Sequence, residues 1–169
     1  MREIKLTNSD IPALIDDEDY SQVIKTKGWR THKTSSGNIA GIVESKRING
    51  KYTMLHLHRF IMELHGYDLT GKIVDHKNHN VFDNRKENLR ICSYIENNRN
   101  RKPLKTNLTK YKGVYPSNRT KNPWIARINI GDGKKSRYLG IFKTEELAAE
   151  AYDKKAKEHF GEFAWLNFP

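Results

Sequence analysis

The stretch from Val74 to Asn98, VDHKNHNVFDNRKENLRICSYIENN, leaves this chain few ways to fold. It opens on an acid beside a histidine, Asp75-His76, runs through a polar loop, and closes in a short apolar run, Leu89-Arg90-Ile91-Cys92. Ser93 and Glu96 then have the spacing of a capping box, in which the hydroxyl bonds the Glu96 amide and the carboxylate reaches back to the Ser93 amide. That spacing predicts a helix start with Asn97 in its first turns. A strand end carrying Asp75-His76, packed against such a helix, gathers a carboxylate, an imidazole and a carboxamide around one small space.

Those groups suit one kind of chemistry. Aspartate and asparagine oxygens are hard ligands, matched to Mg²⁺ or Mn²⁺ rather than to a soft metal. Histidine is the side chain best placed to take a proton from water near neutral pH. A hard cation stabilising charge beside a base that generates the nucleophile is what phosphodiester hydrolysis needs.

The ordered pieces Asp75-His76, Asp83-Asn84-Arg85, Glu87-Asn88-Leu89-Arg90 and Glu96-Asn97-Asn98-Arg99-Asn100 resemble the HNH nuclease motif of phage and intron-encoded homing endonucleases. That motif is a ββα unit that grips one metal ion. The resemblance implies Asp75 and Asn97 as metal ligands, His76 as the general base, and Asn88 as a structural residue tying the loop to the backbone across from His76. One Mg²⁺ or Mn²⁺ per active site is the cofactor it implies.

At 169 residues the chain has room for one domain or two small ones. Charged residues make up 30% and hydrophobic ones 36%, so the core is modest, and the net charge of +11 points to a polyanionic partner. No apolar run approaches the ~18 residues that cross a membrane, and MREIKLTNSD lacks the apolar stretch of a signal peptide. The single cysteine, Cys92, has no partner for a disulfide or a zinc ribbon. An intracellular, non-secreted setting is expected, the host cytoplasm if the chain is phage-encoded. Charge is uneven along the chain: residues 1–57 carry net +2, residues 58–98 net 0 and residues 99–169 net +9. That division suggests chemistry in the middle and DNA affinity at the end.

Ahead of the motif, Asp16-Asp17-Glu18-Asp19 reads as a solvated turn or helix start, since adjacent carboxylates rarely converge on a metal. Ile39–Val43 reads as a short strand, Asn49-Gly50 as a hairpin turn, and Lys51–His58 as a second strand, making a small antiparallel sheet. Residues 59–66 look helical, with Phe60, Ile61 and Leu64 as the apolar stripe and Gly66 as the C-cap. His56, His58, His65, His76 and His79 invite a zinc reading, which no cysteine supports; His58 is instead a candidate to approach the scissile phosphate. After Asn98 the chain loses its apolar period, and Arg99, Arg101, Lys102, Lys105 and Lys110 follow with no acid between them. Pro103 ends the preceding helix. This basic linker is expected to lie along the phosphate backbone.

The last segment has its own punctuation. Tyr111–Tyr115 reads as a strand. Trp124–Ile130 alternates, with Trp124, Ala126, Ile128 and Ile130 on one face and Ile125, Arg127 and Asn129 on the other. Gly131-Asp132-Gly133 marks a turn and Arg137–Gly140 a third strand. Thr144 is an N-cap, followed by Glu145 and Glu146 at the positive end of a helix dipole, and the helix runs to Gly161. Tyr111-Lys112-Gly113-Val114, Trp124-Ile125-Ala126, Leu139-Gly140-Ile141-Phe142, Glu146 through Asp153 and Leu166-Asn167-Phe168-Pro169 resemble the AP2 DNA-binding domain, which lays a three-stranded sheet in the major groove. The resemblance puts DNA-reading positions near Tyr115, Ser117, Arg119, Arg127, Asn129 and Tyr138. Tyr115 and Ser117 stand where arginines are usual and Arg127 where a glutamate is usual, so the fold carries over and the base code does not.

The expectation is an α+β chain: residues 1–98 form a nuclease domain with an N-terminal sheet, residues 99–110 a basic linker, and residues 111–169 an AP2-like sheet packed on one helix. It is expected to act as a monomer on double-stranded DNA, with no membrane partner, as a metal-dependent site-directed endonuclease of the homing type. The alternatives are a DNA-binding regulator on a vestigial nuclease scaffold, and an RNA binder, for which the exposed aromatic platform is lacking.

Overall fold

The computed structural model describes residues 1–48, 50–103, 109–118, 121–131 and 136–169. The chain divides into two compact units, residues 1–93 and residues 94–169.

The first unit begins with a hairpin of β1 (Arg2–Leu6) and β2 (Ser9–Ile15), paired antiparallel with Arg2 opposite Ile15. A single helical turn, α1 (Tyr20–Val23), follows. Next comes a three-stranded antiparallel sheet, ordered β3 (Arg30–Lys33), β4 (Ile39–Ile48), β5 (Lys51–His56). β4 is twice as long as the Ile39–Val43 strand expected from sequence, because its second half pairs with β5 around Gly50, whose φ of +79° suits glycine. Asn49 of the expected turn lies outside the described residues.

β5 ends at His56, and α2 spans Leu57–Leu64, two residues earlier than the periodicity suggested. No breaker separates strand from helix. The early start places Leu57 four residues before Ile61, on the same helical face, and both are fully buried, whereas Leu64 is 40% exposed and leaves the stripe. His58 therefore lies on a helix and not on a strand. Gly66, at φ +78°, turns the chain after the helix, and the Tyr67 amide donates to the Met62 carbonyl.

β6 (Ile73–His76) and β7 (Leu89–Cys92) form a separate antiparallel pair, with Asp75 opposite Arg90 and His76 opposite Leu89. The loop between them contains a 3-10 turn at Lys86–Asn88 and is fastened to the N-terminal hairpin. The Leu14 amide donates to the Phe82 carbonyl, the Asn84 amide donates to the Leu14 carbonyl, and the Lys86 amide donates to Asp16. One core joins these parts: Ile4, Ala13, Ile15, Val23, Trp29, Ile42, Leu57, Ile61, Val74 and Leu89 pack together. The acidic cluster is correspondingly less solvated than its sequence suggested. Asp19 is 3% exposed and bonds His65 Nε2 at 2.7 Å, and Glu18 pairs with Lys86.

The second unit opens with a short helix, α3 (Tyr94–Arg99), directly after Ser93. Its sheet is ordered β10 (Arg137–Phe142), β9 (Trp124–Ile128), β8 (Val114–Pro116), all antiparallel, and α4 (Glu145–Phe160) packs on it. β8 starts three residues later than expected. Gly113, at φ +77°, holds residues 111–113 in a turn so close to α4 that a Cβ there would lie 2.0 Å from the Tyr152 ring. β9 stops at Ile128, and Asp132 and Gly133 of the expected turn lie outside the described residues. The alternation holds within β9: Ala126 and Ile128 are buried and Arg127 is exposed. Ala148, Ala149 and Ala156, all 0% exposed, let α4 approach the sheet closely. The Thr144 hydroxyl caps α4 by accepting from the Leu147 amide, and Gly161 turns the chain away at φ +53°. Asp153 holds the C-terminal residues, accepting from the amides of Asn167 and Phe168.

Candidate active site and nucleic-acid surface

In the first unit Asp75 and His76 are the last two residues of β6, close enough for the carboxylate to act on the imidazole. Arg90, opposite Asp75 across the hairpin, reaches its carboxylate through two nitrogens, at 2.9 and 3.2 Å from Oδ2. His76 is 7% exposed, and its Nε2 lies 3.3 Å from Asn84 Oδ1. The Asn84 amide nitrogen donates to the Val81 carbonyl at 3.0 Å, which fixes the carboxamide with its oxygen toward the imidazole. A carboxamide oxygen only accepts, so Nε2 of His76 carries the proton and the Nδ1 lone pair is the basic one. Burial lowers the His76 pKa below the ordinary imidazole value, against the opposing pull of Asn84 and of the Asp75 carboxylate. The imidazole is therefore neutral at physiological pH.

Asn88, 5% exposed, accepts from the Asn78 amide and donates to the Asp83 carbonyl at 2.7 Å, while its own carbonyl accepts from the Lys77 amide. It ties both sides of the loop together. Asp83 takes two bonds from Arg85, which hold its carboxyl below the usual range. His58 stands edge-on to His76 with ring centroids 5.3 Å apart. Among the described residues its Nδ1 is buried without a hydrogen-bond partner, and burial, with His76 close by, pushes its pKa down to about 3. His56 is 5.5 Å from the His58 ring. Asn84 and Arg90 are the residues that sequence reasoning missed here. Both sit inside the quoted motif, but the register of a hairpin with so long a loop, and the orientation of a carboxamide, are not written in spacing.

In the second unit, Tyr115 pairs with Ile125 and Tyr138 with Arg127, so these side chains share the sheet face turned away from α4. Tyr115 is 51% and Tyr138 55% exposed, with Arg127 exposed between them, so this sheet face does carry the exposed aromatics that the sequence reading expected to be lacking. Asn129 is exposed and accepts from the Gly131 amide, and Ser117 is half-buried with its amide donating to the Pro123 carbonyl. Arg119 and Lys105 lie outside the described residues. Arg101 and Lys102 are exposed after α3, and the Arg99 guanidinium lies 4.6 Å over the Phe160 ring. Asn97 is half-buried on α3 and so belongs to the second compact unit.

Fold and site together define a two-unit protein with a hairpin-borne acid–histidine pair in one unit and a cationic, tyrosine-flanked sheet in the other. Residues 55–99 match the family model described as HNH endonuclease. It is 36% identical over 118 residues to an uncharacterised HNH endonuclease of Acanthamoeba polyphaga mimivirus, covering 67% of this chain and 57% of that protein. It is 42% identical over 60 residues to dehydration-responsive element-binding protein 1E of Oryza sativa subsp. indica, covering 34% of this chain and 26% of the relative. Ethylene-responsive transcription factor WRI1 of Arabidopsis thaliana is 43% identical over 61 residues, 36% of this chain and 14% of that one. The chain thus spans from 14% to 57% of the length of these relatives. These similarities support an HNH-plus-AP2 architecture.

The family implies a divalent cation, and the chemistry of the donors suits a hard one. Asp75 offers carboxylate oxygen on a side chain 14% exposed, beside a neutral histidine. Among the described residues no cluster of three or more His, Cys, Asp or Glu is arranged to hold a metal. Among the described residues no helix is long and apolar enough to cross a membrane.

Proposed function

We propose that this chain is a metal-dependent DNA endonuclease of the homing type, in which the HNH unit cuts and the AP2-like unit positions it on double-stranded DNA inside the cell. The observation that carries this reading is the neutral His76, its tautomer set by Asn84, beside the Asp75 carboxylate.

In this reading His76 is the general base. Its Nδ1 takes a proton from a water molecule, whose oxygen attacks phosphorus, and the P–O bond to the leaving sugar oxygen breaks. Asn84 is a positioning residue that keeps the imidazole in the tautomer with its lone pair on Nδ1. Asn88 closes the loop that carries Asn84. Asp75, with Asn97 of α3 as the family pattern assigns it, would hold one Mg²⁺ or Mn²⁺, which when bound supplies charge stabilisation to the phosphate and the leaving oxygen. Arg90 pairs with Asp75 and keeps its carboxylate oriented. Arg127, Tyr115, Tyr138, Asn129, Ser117 and Arg119 would contact the duplex, and Arg99, Arg101, Lys102 and Lys105 its phosphates. The chain would bind as a monomer.

A DNA-binding regulator on a vestigial nuclease scaffold is the second reading, and the Arg90–Asp75 pair favours it: a carboxylate satisfied by a guanidinium needs no metal. Incubation of a randomised plasmid library with Mg²⁺ or with EDTA separates the two. Cleavage with Mg²⁺ alone, at a recurring sequence, supports the endonuclease. Recurrent binding without cutting in Mg²⁺ or Mn²⁺ overturns it in favour of the regulator.

A further inference from the structure

α3 is too short to hold itself. It has six residues, none of them buried, and isolated helices below about 12 residues are marginal in water. What fixes it lies in the second unit. Lys112 Nζ donates to the Arg99 carbonyl and to the Arg101 carbonyl, each at 2.7 Å, filling acceptors that a helix end leaves open. The ammonium also sits at the negative end of the helix dipole. Arg99 adds its stacking over Phe160 of α4.

The anchor is itself rigid. The Lys112 amide donates to Asn167 Oδ1 at 2.7 Å, and Asn167 Nδ2 returns a bond to the Lys112 carbonyl at 3.2 Å. Asn167 in turn donates its amide and its side chain to Asp153 of α4, both at 2.9 Å. Gly113, next in sequence, is wedged against Tyr152 and the Arg127 carbonyl. A chain of bonds therefore runs from α4 through Asn167 and Lys112 to the end of α3. Burial pushes the Lys112 amine down to about 8, as expected of a group shielded between two segments.

We propose that Lys112 is a positioning residue that fixes the end of α3, and with it Asn97, within its own unit. This rests on the assignment of Asn97 as a metal ligand in the proposed endonuclease. Lys112 touches neither metal nor substrate and acts through α3. Its contribution is to hold the α3 backbone that carries Asn97.

The test compares full-length wild type, Lys112→Met, Lys112→Arg and Arg99→Gln, reading amide hydrogen exchange and the Mg²⁺ concentration for half-maximal cleavage. Lys112→Met should speed exchange at residues 98–101 at least tenfold while leaving β9 and α4 protected. It should also raise the half-saturating Mg²⁺ about tenfold, the lower end of what an outer-shell partner is worth, with metal-free DNA affinity unchanged. Lys112→Arg should restore both readouts in large part. Should Lys112→Met also expose β9, Arg99→Gln takes its place in the exchange readout only and should speed exchange at residues 98–101 without exposing β9. Unchanged exchange at residues 98–101 in both variants overturns the latch. Faster exchange with an unchanged Mg²⁺ requirement overturns its link to the metal ligand. A wild type that never cleaves refutes the endonuclease reading and with it the metal arm, and exchange alone still decides whether Lys112 holds α3.

Discussion

Replacing Asn84 by aspartate turns the acceptor that orients His76 into a charge. The two side chains are 3.3 Å apart, and Asn84 is fully buried. At an effective dielectric of ~20, a carboxylate at that distance stabilises an imidazolium by about 5 kcal/mol. At about 1.4 kcal/mol per pH unit that would raise the protonation of His76 by three to four units. The cost of burying the new carboxylate takes part of this back and leaves the direction unchanged. The sign is unambiguous. In the wild type burial keeps the His76 pKa below the ordinary value, so the base should be available throughout the neutral range and the single-turnover rate should change little across it. In Asn84→Asp the imidazole stays protonated to higher pH, cleavage at pH 7 falls about tenfold or more, and the rate recovers toward pH 9. Asn84→Leu should behave differently: the rate falls at every pH, because Nε2 loses its partner, and the acid limb does not move upward. A pH–rate profile of Asn84→Asp superimposable on wild type would refute the assignment of Asn84 as the residue that sets the state of the base.

Burial of His58 makes the stability of the first unit pH-dependent. Its folded pKa of about 3 lies below the unfolded value near 6.5, so the contribution is complete above pH 6.5 and is lost as pH falls, by about 2 kcal/mol between pH 6.5 and pH 5. Urea midpoints at the two pH values read this, and His58→Gln should flatten the difference. On the DNA side, a C-terminal region of net +9 that neutralises about eight phosphates predicts a slope of log K against log[salt] of roughly −7, flattened by about one in Lys102→Ala with no change in sequence preference. Arg127→Ala should instead relax preference at one or two base positions, by about 1–3 kcal/mol, in competition binding with target and scrambled duplexes; equal loss on both would make Arg127 a phosphate contact only. Gly113→Ala should lower the melting temperature of the second unit by several degrees, because its Cβ meets the Tyr152 ring at 2.0 Å on a backbone with φ +77°.

Much of the second unit was legible in its sequence because its signals are local. The alternation of Ala126, Arg127 and Ile128, the Thr144 cap and the Gly161 stop each involve neighbours in sequence, and each appears where the pattern put it. The first unit was less so. Its N-terminal hairpin carries little alternation, and its value lies in bonds from Leu14 and Asp16 to a loop some 70 residues later. Asp75 and His76 were readable as a pair, but the partners that set their chemistry were not. Arg90 depends on hairpin register and Asn84 on an amide orientation that Val81 enforces. Lys51–His58 reads as one strand in the sequence because nothing there marks the change from period two to period 3.6 at Leu57. Lys112 was visible only as part of a motif, since its bonds to Arg99 and Arg101 are tertiary.

The most direct test of the central claim is scission of supercoiled DNA carrying the selected site by wild type and His76→Ala, with saturating Mg²⁺ and with EDTA. The two proteins are first matched for melting temperature and DNA affinity. The expected result is Mg²⁺-dependent cutting by wild type and a loss of roughly 10²–10⁴-fold in His76→Ala, the usual worth of a general base, at equal DNA affinity. Equal cutting rates in the two proteins would contradict the assignment of His76 as the base, and cutting that persists in EDTA would contradict the metal.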